Sequence, residues 1–232
     1  MNKKNIVIGI EGLVGAGKTS ISRELLKYIP NSIIIHGGNI YRAIAFGIVK
    51  SGLGLEELTK IMNNEDVLEM MEKLNIEVRL EDRETVIYIK NQKMEEKDLQ
   101  AAFVSLAVSK LSSVADNTRL YKFGKDLINT FRKDYNVILS SRDIMKMYPE
   151  VTYHLFITAS LEERVNRKYI QYNEILPKEK IKENILMRDD IQERSGFYKK
   201  YDNTIVIDVT NCKSVEESTN EVLKYIKLEA LV

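Results

Sequence analysis

The sequence predicts an α/β fold in which a parallel sheet of about five strands is sandwiched by helices. Short runs of β-branched and apolar residues alternate with amphipathic segments, which is the pattern of a sheet wrapped by helices. A glycine-rich turn that fits a phosphate-binding motif joins the first such strand to the first helix. The chain has 232 residues, of which 44% are hydrophobic, and this suffices for one domain with a sizeable core. We therefore expect residues 1–232 to form one domain.

The first strand and helix flank the glycine-rich turn. Residues 5–10 form a short run rich in isoleucine and valine and predict a buried strand. Residues 12–19 have the sequence Gly-Leu-Val-Gly-Ala-Gly-Lys-Thr, which fits the phosphate-binding pattern G-x-x-x-x-G-K-[ST] and is called the P-loop below. Residues 20–28 space their apolar side chains as one helix face. Strand, turn and helix in this order are the context that the motif requires.

The P-loop predicts a site for a nucleoside triphosphate with magnesium. Backbone N–H groups and the positive end of the helix converge at the turn, where they attract phosphate. Lys18 is expected to reach the terminal phosphates, and the hydroxyl of Thr19 is expected to ligate Mg²⁺. The predicted donor-site residues are Gly12, Leu13, Val14, Gly15, Ala16, Gly17, Lys18, Thr19 and Ser20.

Four further strands complete the predicted sheet. Residues 32–36, 136–139, 151–157 and 204–208 are short apolar runs separated by helical segments. An amphipathic helix that begins near Val215 follows the last of them. This alternation of strands and helices predicts parallel pairing.

Two segments interrupt the alternation. From Leu74 to Lys90, apolar and polar residues alternate on both sides of residues 81–84, which predicts a half-solvated antiparallel hairpin. Residues 161–200 are rich in acidic and basic side chains and predict a solvated helical hairpin.

Composition excludes several classes of function. The formal net charge is +1, from 35 basic and 34 acidic residues, so no global field favours nucleic acid or a membrane surface as a partner. The single cysteine, Cys212, excludes an internal disulfide and is typical of a reducing cytoplasm. No apolar run approaches the roughly 20 residues that span a membrane. We expect a soluble cytoplasmic protein.

Polar residues follow three of the predicted strands, at the P-loop, at residues 36–42 and at residues 140–143. Ligands of parallel sheets bind at the carboxyl ends of the strands. Arg142 and Asp143 leave a buried strand together, which is costly unless they pair with each other or bind a ligand. A structural ion pair is one interpretation. Beside a P-loop, a phosphate-binding arginine and a substrate-recognising carboxylate are favoured.

The motifs that the sequence contains and those that it lacks indicate which class of P-loop protein this is. The chain has neither the Asn-Lys-x-Asp and Asp-x-x-Gly motifs of GTPases nor the Leu-Ser-Gly-Gly signature of transporter ATPases. It has many separated arginines instead. Arginines from several segments can neutralise a phosphoryl group in transfer, so a kinase of a small phosphorylated acceptor is favoured.

In order and spacing, these motifs resemble those of bacterial cytidylate kinases, members of the nucleoside monophosphate kinase family, from about Ile6 to Lys227. The predicted antiparallel hairpin from Leu74 to Lys90 resembles an insertion that marks the bacterial branch of this family. The other elements that carry the resemblance are residues 37–43, residues 104–109 with Arg119, residues 141–143, residues 159–164 and residues 188–190.

The resemblance implies phosphorylation of a pyrimidine nucleoside monophosphate, CMP or dCMP, by ATP with Mg²⁺, in a P-loop kinase that acts as a monomer. The implied products are CDP or dCDP and ADP. The implied regions are a core of residues 1–36, 136–160 and 204–232, an acceptor-binding region of residues 37–135 with a β insertion at 74–92, and a helical lid at 161–200.

The resemblance also implies roles for particular side chains. Lys18, Arg142 and Arg188 are implied to be catalytic and to hold the phosphates of donor and acceptor, and Arg164 to face the donor nucleotide from the lid. A carboxylate can accept from the exocyclic amine of cytosine, while arginine and serine can donate to the ring acceptors. The implied acceptor site is Gly37, Tyr41, Arg42, Arg142 and Arg188, with Ser109, Arg119 and Asp143 at the cytosine edge.

The chain departs from the family pattern at both ends of the acceptor site. His36 and Gly37 replace an acid and a hydroxyl residue, and Gln192 replaces the aspartate that is expected to hold the sugar hydroxyls. These departures motivate an alternative, a catalytically weak ATP-binding regulatory protein of the same fold. Residues 10–12, Ile-Glu-Gly, also resemble deoxynucleoside kinases, which are a second alternative.

Three polar residues near the strands are interpreted as structural. A lone histidine at or in a strand, such as His36 or His154, is more often a hydrogen-bonded core residue than a ligand. Asp208 ends a strand and is expected to cap the following turn.

Overall fold

The computed structural model describes residues 5–50, 67–99, 104, 108 and 118–227. No helix in these ranges is long and apolar enough to cross a membrane. The strands in these ranges are β1 (Val7–Gly12), β2 (Ser32–His36), β3 (Ile76–Glu81), β4 (Glu84–Ile89), β5 (Gln92–Lys93), β6 (Asn136–Ser140), β7 (Tyr153–Thr158) and β8 (Thr204–Asp208). The helices are α1 (Lys18–Leu25), α2 (Gly37–Lys50), α3 (Val67–Lys73), α4 (Glu96–Leu99), α5 (Thr118–Phe131), α6 (Ile144–Met147), α7 (Leu161–Gln171), α8 (Lys178–Arg194) and α9 (Val215–Leu223).

The strands form one sheet in the order β3-β4-β2-β6-β1-β7-β8, with β5 paired to β4. The five strands from β2 to β8 in this order are parallel to one another, which confirms the predicted five-stranded parallel sheet. Strand β1 lies in the middle, between β6 and β7. The P-loop therefore begins at the centre of the carboxyl edge of the sheet, where ligands of such sheets bind.

Apolar side chains on both faces of the parallel strands form the core. On one face, Ile8 packs with Leu25 of α1 and Val222 of α9. On the other face, Val7 packs with Ile128 of α5. All five side chains are fully buried. Strands that are buried on both faces are continuous apolar runs, which is why the sequence alone located them.

The antiparallel hairpin of β3 and β4 extends the edge of the parallel sheet. Strand β4 meets β2 in parallel at Ile34 and Glu84, and Thr85 Oγ1 accepts the backbone N–H of His36 at 2.9 Å. The Nε2 of His36 lies 2.8 Å from Glu84 Oε2, which confirms the structural interpretation of this histidine. The alternating pattern predicted the hairpin but not its attachment, because alternation defines a hairpin without identifying the strand beside it.

The charge-rich segment at 161–200 contains the predicted helical hairpin, formed by α7 and α8. Most of its charged side chains are exposed. Some of its apolar side chains face the P-loop, where Val165 of α7 and Ile185 of α8 pack with Val14. The helical hairpin is therefore fixed against the P-loop by packing, while most of its charged residues remain in solvent and Arg164 and Arg188 are buried.

Candidate active site

The P-loop leaves β1 in a conformation that requires glycine. At Gly12, φ is 145° and a Cβ atom would overlap the carbonyl oxygen of Ile157 in β7. Gly15 and Gly17 have φ of 80° and 95°, in the region that other residues rarely adopt. Helix α1 begins at Lys18, directly after this turn. Its first N–H groups have no acceptor within the helix and remain available to an anion.

Lys18 is held inside the loop by neutral acceptors. Its Nζ donates to the carbonyl oxygens of Gly12 and Leu13, each at 2.8 Å. Burial, followed by the positive charges of Arg142 and Arg188, lowers the pKa of Lys18 from 10.5 to about 7. An anion in the loop would offset this repulsion and accept hydrogen bonds, so the site favours anion binding.

A cleft of about 680 Å³ opens beside the P-loop. This volume is in the range of pockets that bind small molecules. The cleft is lined by the P-loop and α1, the end of β6, the hairpin of α7 and α8, and the start of α9. Cationic side chains from each of these segments concentrate positive charge in it and favour a polyanionic ligand. They are Lys18, Arg23, Arg142, Arg167, Lys168, Arg188 and Lys213, and Arg42 of α2 adds a further charge.

Burial in the cleft disfavours the charged forms of two arginines, Arg142 and Arg188. Burial, followed by the charge of Arg188, lowers the pKa of Arg142 to about 10, and burial lowers the pKa of Arg188. Among the described residues, Arg188 Nε and the buried Nε2 of Gln192 have no hydrogen-bond partner. An unpartnered buried polar group costs about 1–3 kcal/mol. A ligand that supplies acceptors would remove this cost.

A second cavity, of about 80 Å³, adjoins the cleft. Its walls include the aromatic rings of Tyr41, Tyr121, Phe123 and Phe197. The Oη of Tyr41 is buried without a partner among the described residues, and burial raises its pKa. The two cavities meet at a shared wall made of Gly38, Arg42, Ser141 and Arg142.

The structure brings most of the predicted site residues to these two cavities. Gly12, Leu13 and Ala16 belong to the same loop but are not among the residues that line the cleft. Val14, Gly15, Gly17, Lys18, Thr19, Ser20 and Arg188 line the cleft, Gly37 and Tyr41 line the second cavity, and Arg42 and Arg142 line both.

Arg164 is buried behind the P-loop and does not line the cleft. Its guanidinium donates to the carbonyl oxygen of Val14 at 3.1 Å and to the carboxylate of Asp189. In place of the expected contact with the donor nucleotide, Arg164 links the P-loop to α8, because α8 places the carboxylate of Asp189 within hydrogen-bond distance of its guanidinium. Arg167, one helical turn later, lines the cleft and donates to the carbonyl oxygen of Ala16 at 3.1 Å.

Two of the three residues expected at the cytosine edge, Arg119 and Asp143, are not among the residues that line the second cavity. Asp143 is buried, accepts a hydrogen bond from Tyr121 Oη at 2.6 Å and lies 3.0 Å from Lys146 Nζ. Arg119 is exposed at the start of α5 and is not among the residues that line the second cavity. Ser109 lies outside the described residues.

Two side chains at the site were not assigned a role from the sequence. Asp189 accepts from the backbone N–H of Val14 at 3.3 Å and from Tyr198 Oη at 2.5 Å, so it joins α8 to the P-loop. Its position next to Arg188 in the charge-rich segment was the signal that could have identified it. Tyr121 lines the second cavity, but an aromatic residue in an amphipathic helix predicts packing.

Two other polar residues at the ends of the strands are structural. His154 is buried, with Nε2 at 3.2 Å from Glu11 Oε2 and Nδ1 at 2.9 Å from Thr204 Oγ1. Asp208 Oδ1 accepts the backbone N–H of Thr210 at 2.8 Å. Both structural interpretations are confirmed, and neither His154 nor Glu11 lines a cavity described above.

Comparison with known proteins covers nearly the whole chain. Residues 8–228 match the family model for cytidylate kinase. A cytidylate kinase of Clostridioides difficile strain 630 is 30% identical, over 97% of this chain and 99% of that protein. A cytidylate kinase of Aquifex aeolicus is 29% identical, over 94% of this chain and 95% of its own length. The match therefore includes every segment that lines the two cavities.

Proposed function

The chain belongs to the cytidylate kinase family, and we propose that it transfers the γ-phosphate of ATP to CMP or dCMP, with CDP or dCDP and ADP as products. The observation that carries this proposal is the shared wall, where a cationic cleft and an aromatic cavity meet at Arg42 and Arg142. Transfer of a phosphoryl group between two nucleotides needs two sites with cations at their junction.

In the proposed reaction, ATP occupies the cleft with its phosphates in the P-loop. The first N–H groups of α1 and the ammonium of Lys18 bind the β- and γ-phosphates. Thr19 lines the cleft at the start of α1, and its hydroxyl fits Mg²⁺, which prefers oxygen ligands and shares them with substrate phosphates. Bound Mg²⁺ neutralises charge on the phosphates.

The base of the acceptor is proposed to lie in the second cavity, with the acceptor phosphate on the cleft side of the shared wall. Arg42 and Arg142 can then hold the acceptor phosphate, while Arg188 reaches the group in transfer. An acceptor phosphate oxygen forms the new bond to the γ-phosphorus, and the bond to the β,γ-bridging oxygen breaks. Such a reaction depends on positioning and on neutralising the moving charge, which buried arginines supply.

We propose that the helical hairpin is a lid over the two substrates. Asp189 supports this proposal, because it connects the hairpin to the P-loop through Val14. We propose a monomer, and the single cysteine supports a cytoplasmic location. The proposed regions remain a core of 1–36, 136–160 and 204–232, an acceptor region of 37–135 with a β insertion at 74–92, and a lid of 161–200.

A panel of acceptors tests the proposed function. We expect the chain to form ADP from ATP in a coupled assay when CMP or dCMP is present, and not with deoxycytidine. Absence of ADP formation with CMP, dCMP and UMP would overturn the proposal. Phosphorylation of deoxycytidine but not dCMP would indicate a deoxynucleoside kinase instead, and ATP binding without any turnover would indicate a regulatory protein.

The lowered pKa of Lys18 predicts that the protein takes up a proton when it binds ATP with Mg²⁺. At pH 8, above the pKa of about 7, Lys18 is mostly neutral in the free protein. The phosphates raise this pKa again, so binding takes up close to one proton at pH 8 and little at pH 6. The affinity for ATP falls as the pH rises above 7 for the same reason.

Isothermal titration calorimetry in buffers with different ionisation enthalpies measures this uptake. Lys18→Arg is the matched control, because arginine stays charged throughout this range and takes up no proton. A binding enthalpy at pH 8 that is the same in every buffer for the wild-type protein would contradict the prediction.

A further inference from the structure

We propose that Tyr121 recognises the base of the acceptor, as a hydrogen-bond acceptor that selects cytosine over uracil; this inference rests on the proposed function. Tyr121 lines the second cavity, together with three other aromatic residues. Of the two tyrosines in the cavity, Tyr121 is the one whose hydroxyl proton already has a hydrogen-bond partner in the described part of the protein. That partner determines whether the Tyr121 oxygen can donate or accept a hydrogen bond to a ligand.

The proton of Tyr121 is held by Asp143. Its Oη donates to Asp143 Oδ2 at 2.6 Å, and the same carboxylate oxygen lies 3.0 Å from Lys146 Nζ. Asp143 is 5% exposed, so water competes little for this hydrogen bond. Burial, and after it the bond to Asp143, raises the pKa of Tyr121, which keeps the phenol protonated at neutral pH.

A phenol has one proton to donate, and its oxygen can also accept. Because the proton of Tyr121 is engaged by Asp143, only the lone pairs of its oxygen remain for a ligand in the cavity. Cytosine presents an exocyclic amine, which donates, at the position where uracil presents a carbonyl oxygen, which accepts. Tyr121 therefore pairs with cytosine and places two acceptors against each other with uracil.

The two arginines and the second tyrosine of the cavity lack this property. The side chains of Arg42 and Arg142 carry donors only, so neither can accept from the amine. The hydroxyl of Tyr41 is buried with no partner among the described residues and can rotate to donate or to accept. Tyr41 can thus form a hydrogen bond to either cytosine or uracil, whereas the bond to Asp143 leaves Tyr121 only as a hydrogen-bond acceptor.

The conservative variant Tyr121→Phe tests the proposal in the full-length protein. Steady-state kinetics with ATP give kcat/KM for CMP and for UMP, and their ratio is the readout. We expect Tyr121→Phe to lower the ratio about tenfold, because it removes a hydrogen bond to CMP and relieves the conflict with UMP. A loss of packing alone would lower both values alike and leave the ratio unchanged.

Two further variants complete the test. Tyr41→Phe is the matched control in the same cavity and is expected to change the ratio less than about twofold. Asp143→Gly frees the proton of Tyr121 without backbone strain, since φ is 54° at this position, and is expected to lower the ratio as Tyr121→Phe does.

The outcomes separate this inference from the proposed function. A wild-type protein that does not phosphorylate CMP overturns the proposed function. A wild-type protein that prefers CMP, with the same preference in folded Tyr121→Phe, overturns the role of Tyr121 alone. If Asp143→Gly loses the preference while Tyr121→Phe keeps it, Asp143 itself contacts the base and the inference is wrong.

Discussion

Replacement of Lys18 by alanine is expected to lower kcat for CMP by about 10³-fold and to leave the fold intact. The loss follows because Lys18 supplies positive charge at the terminal phosphates, where charge develops during transfer. The fold survives because, in the part of the chain that the structure describes, the Nζ of Lys18 bonds to two carbonyl oxygens of its own loop, those of Gly12 and Leu13. Its lowered pKa also shows that the charged form is disfavoured in the folded protein.

The measurement combines the coupled assay with thermal unfolding at pH 6.5. We expect the melting temperature of Lys18→Ala to be unchanged or higher, because the variant removes a cation that the folded state disfavours below the pKa of about 7. Lys27→Ala is the control, since Lys27 is an exposed lysine that pairs with Glu24 just after α1. Near-normal turnover in Lys18→Ala would contradict the assignment of the cleft as the donor site.

Replacement of Arg188 by alanine is expected to lower kcat for CMP by about 10²-fold or more. Arg188 is buried in the cleft with an unpartnered Nε, and the proposed reaction gives that group a phosphate oxygen to bind. Removal of one preorganised donor to the group in transfer typically costs 10²–10³-fold in kcat. The folded state loses little, because no hydrogen bond within the described residues depends on Nε.

Arg194→Ala is the matched control on the same helix. Arg194 is exposed and its Nε lies 2.9 Å from Asp190 Oδ1, one turn away. Exposed pairs of this kind contribute about 1 kcal/mol or less to stability, and Arg194 lines neither cavity. We expect its kcat to stay within about twofold of wild type. Equal losses in both variants, measured by the same assay, would show that the effect is not specific to the cleft.

The fold was largely predictable because its signals are local. Four of the five parallel strands are buried on both faces as continuous apolar runs, and the P-loop needs glycines at fixed positions, as the overlap at Gly12 shows. The attachment of the hairpin to β2 was not predictable. It depends on the pairing of Ile34 with Glu84, which are 50 residues apart in the chain, and nothing in either segment identifies the other.

The candidate site was predictable where a residue lies in a motif and less so where a neighbour captures its side chain. Lys18 and Arg142 line the cleft, as their motifs indicated. Arg164 was expected in the cleft, but Asp189 holds it behind the P-loop. Asp143 is similarly bonded to Tyr121. A motif gives the backbone position of a side chain, whereas its hydrogen-bond partner depends on the packing of distant helices.

The shared wall has a consequence for attempts to redesign this protein. Gly38, Arg42, Ser141 and Arg142 border both cavities, so a substitution there that admits a larger base also alters the surroundings of the phosphates. At the shared wall, a change in selectivity for the acceptor base is therefore expected to change the rate of phosphoryl transfer as well. Phe123 and Phe197 border only the second cavity. A library aimed at new acceptor bases therefore has more freedom at these two rings than at the strand ends.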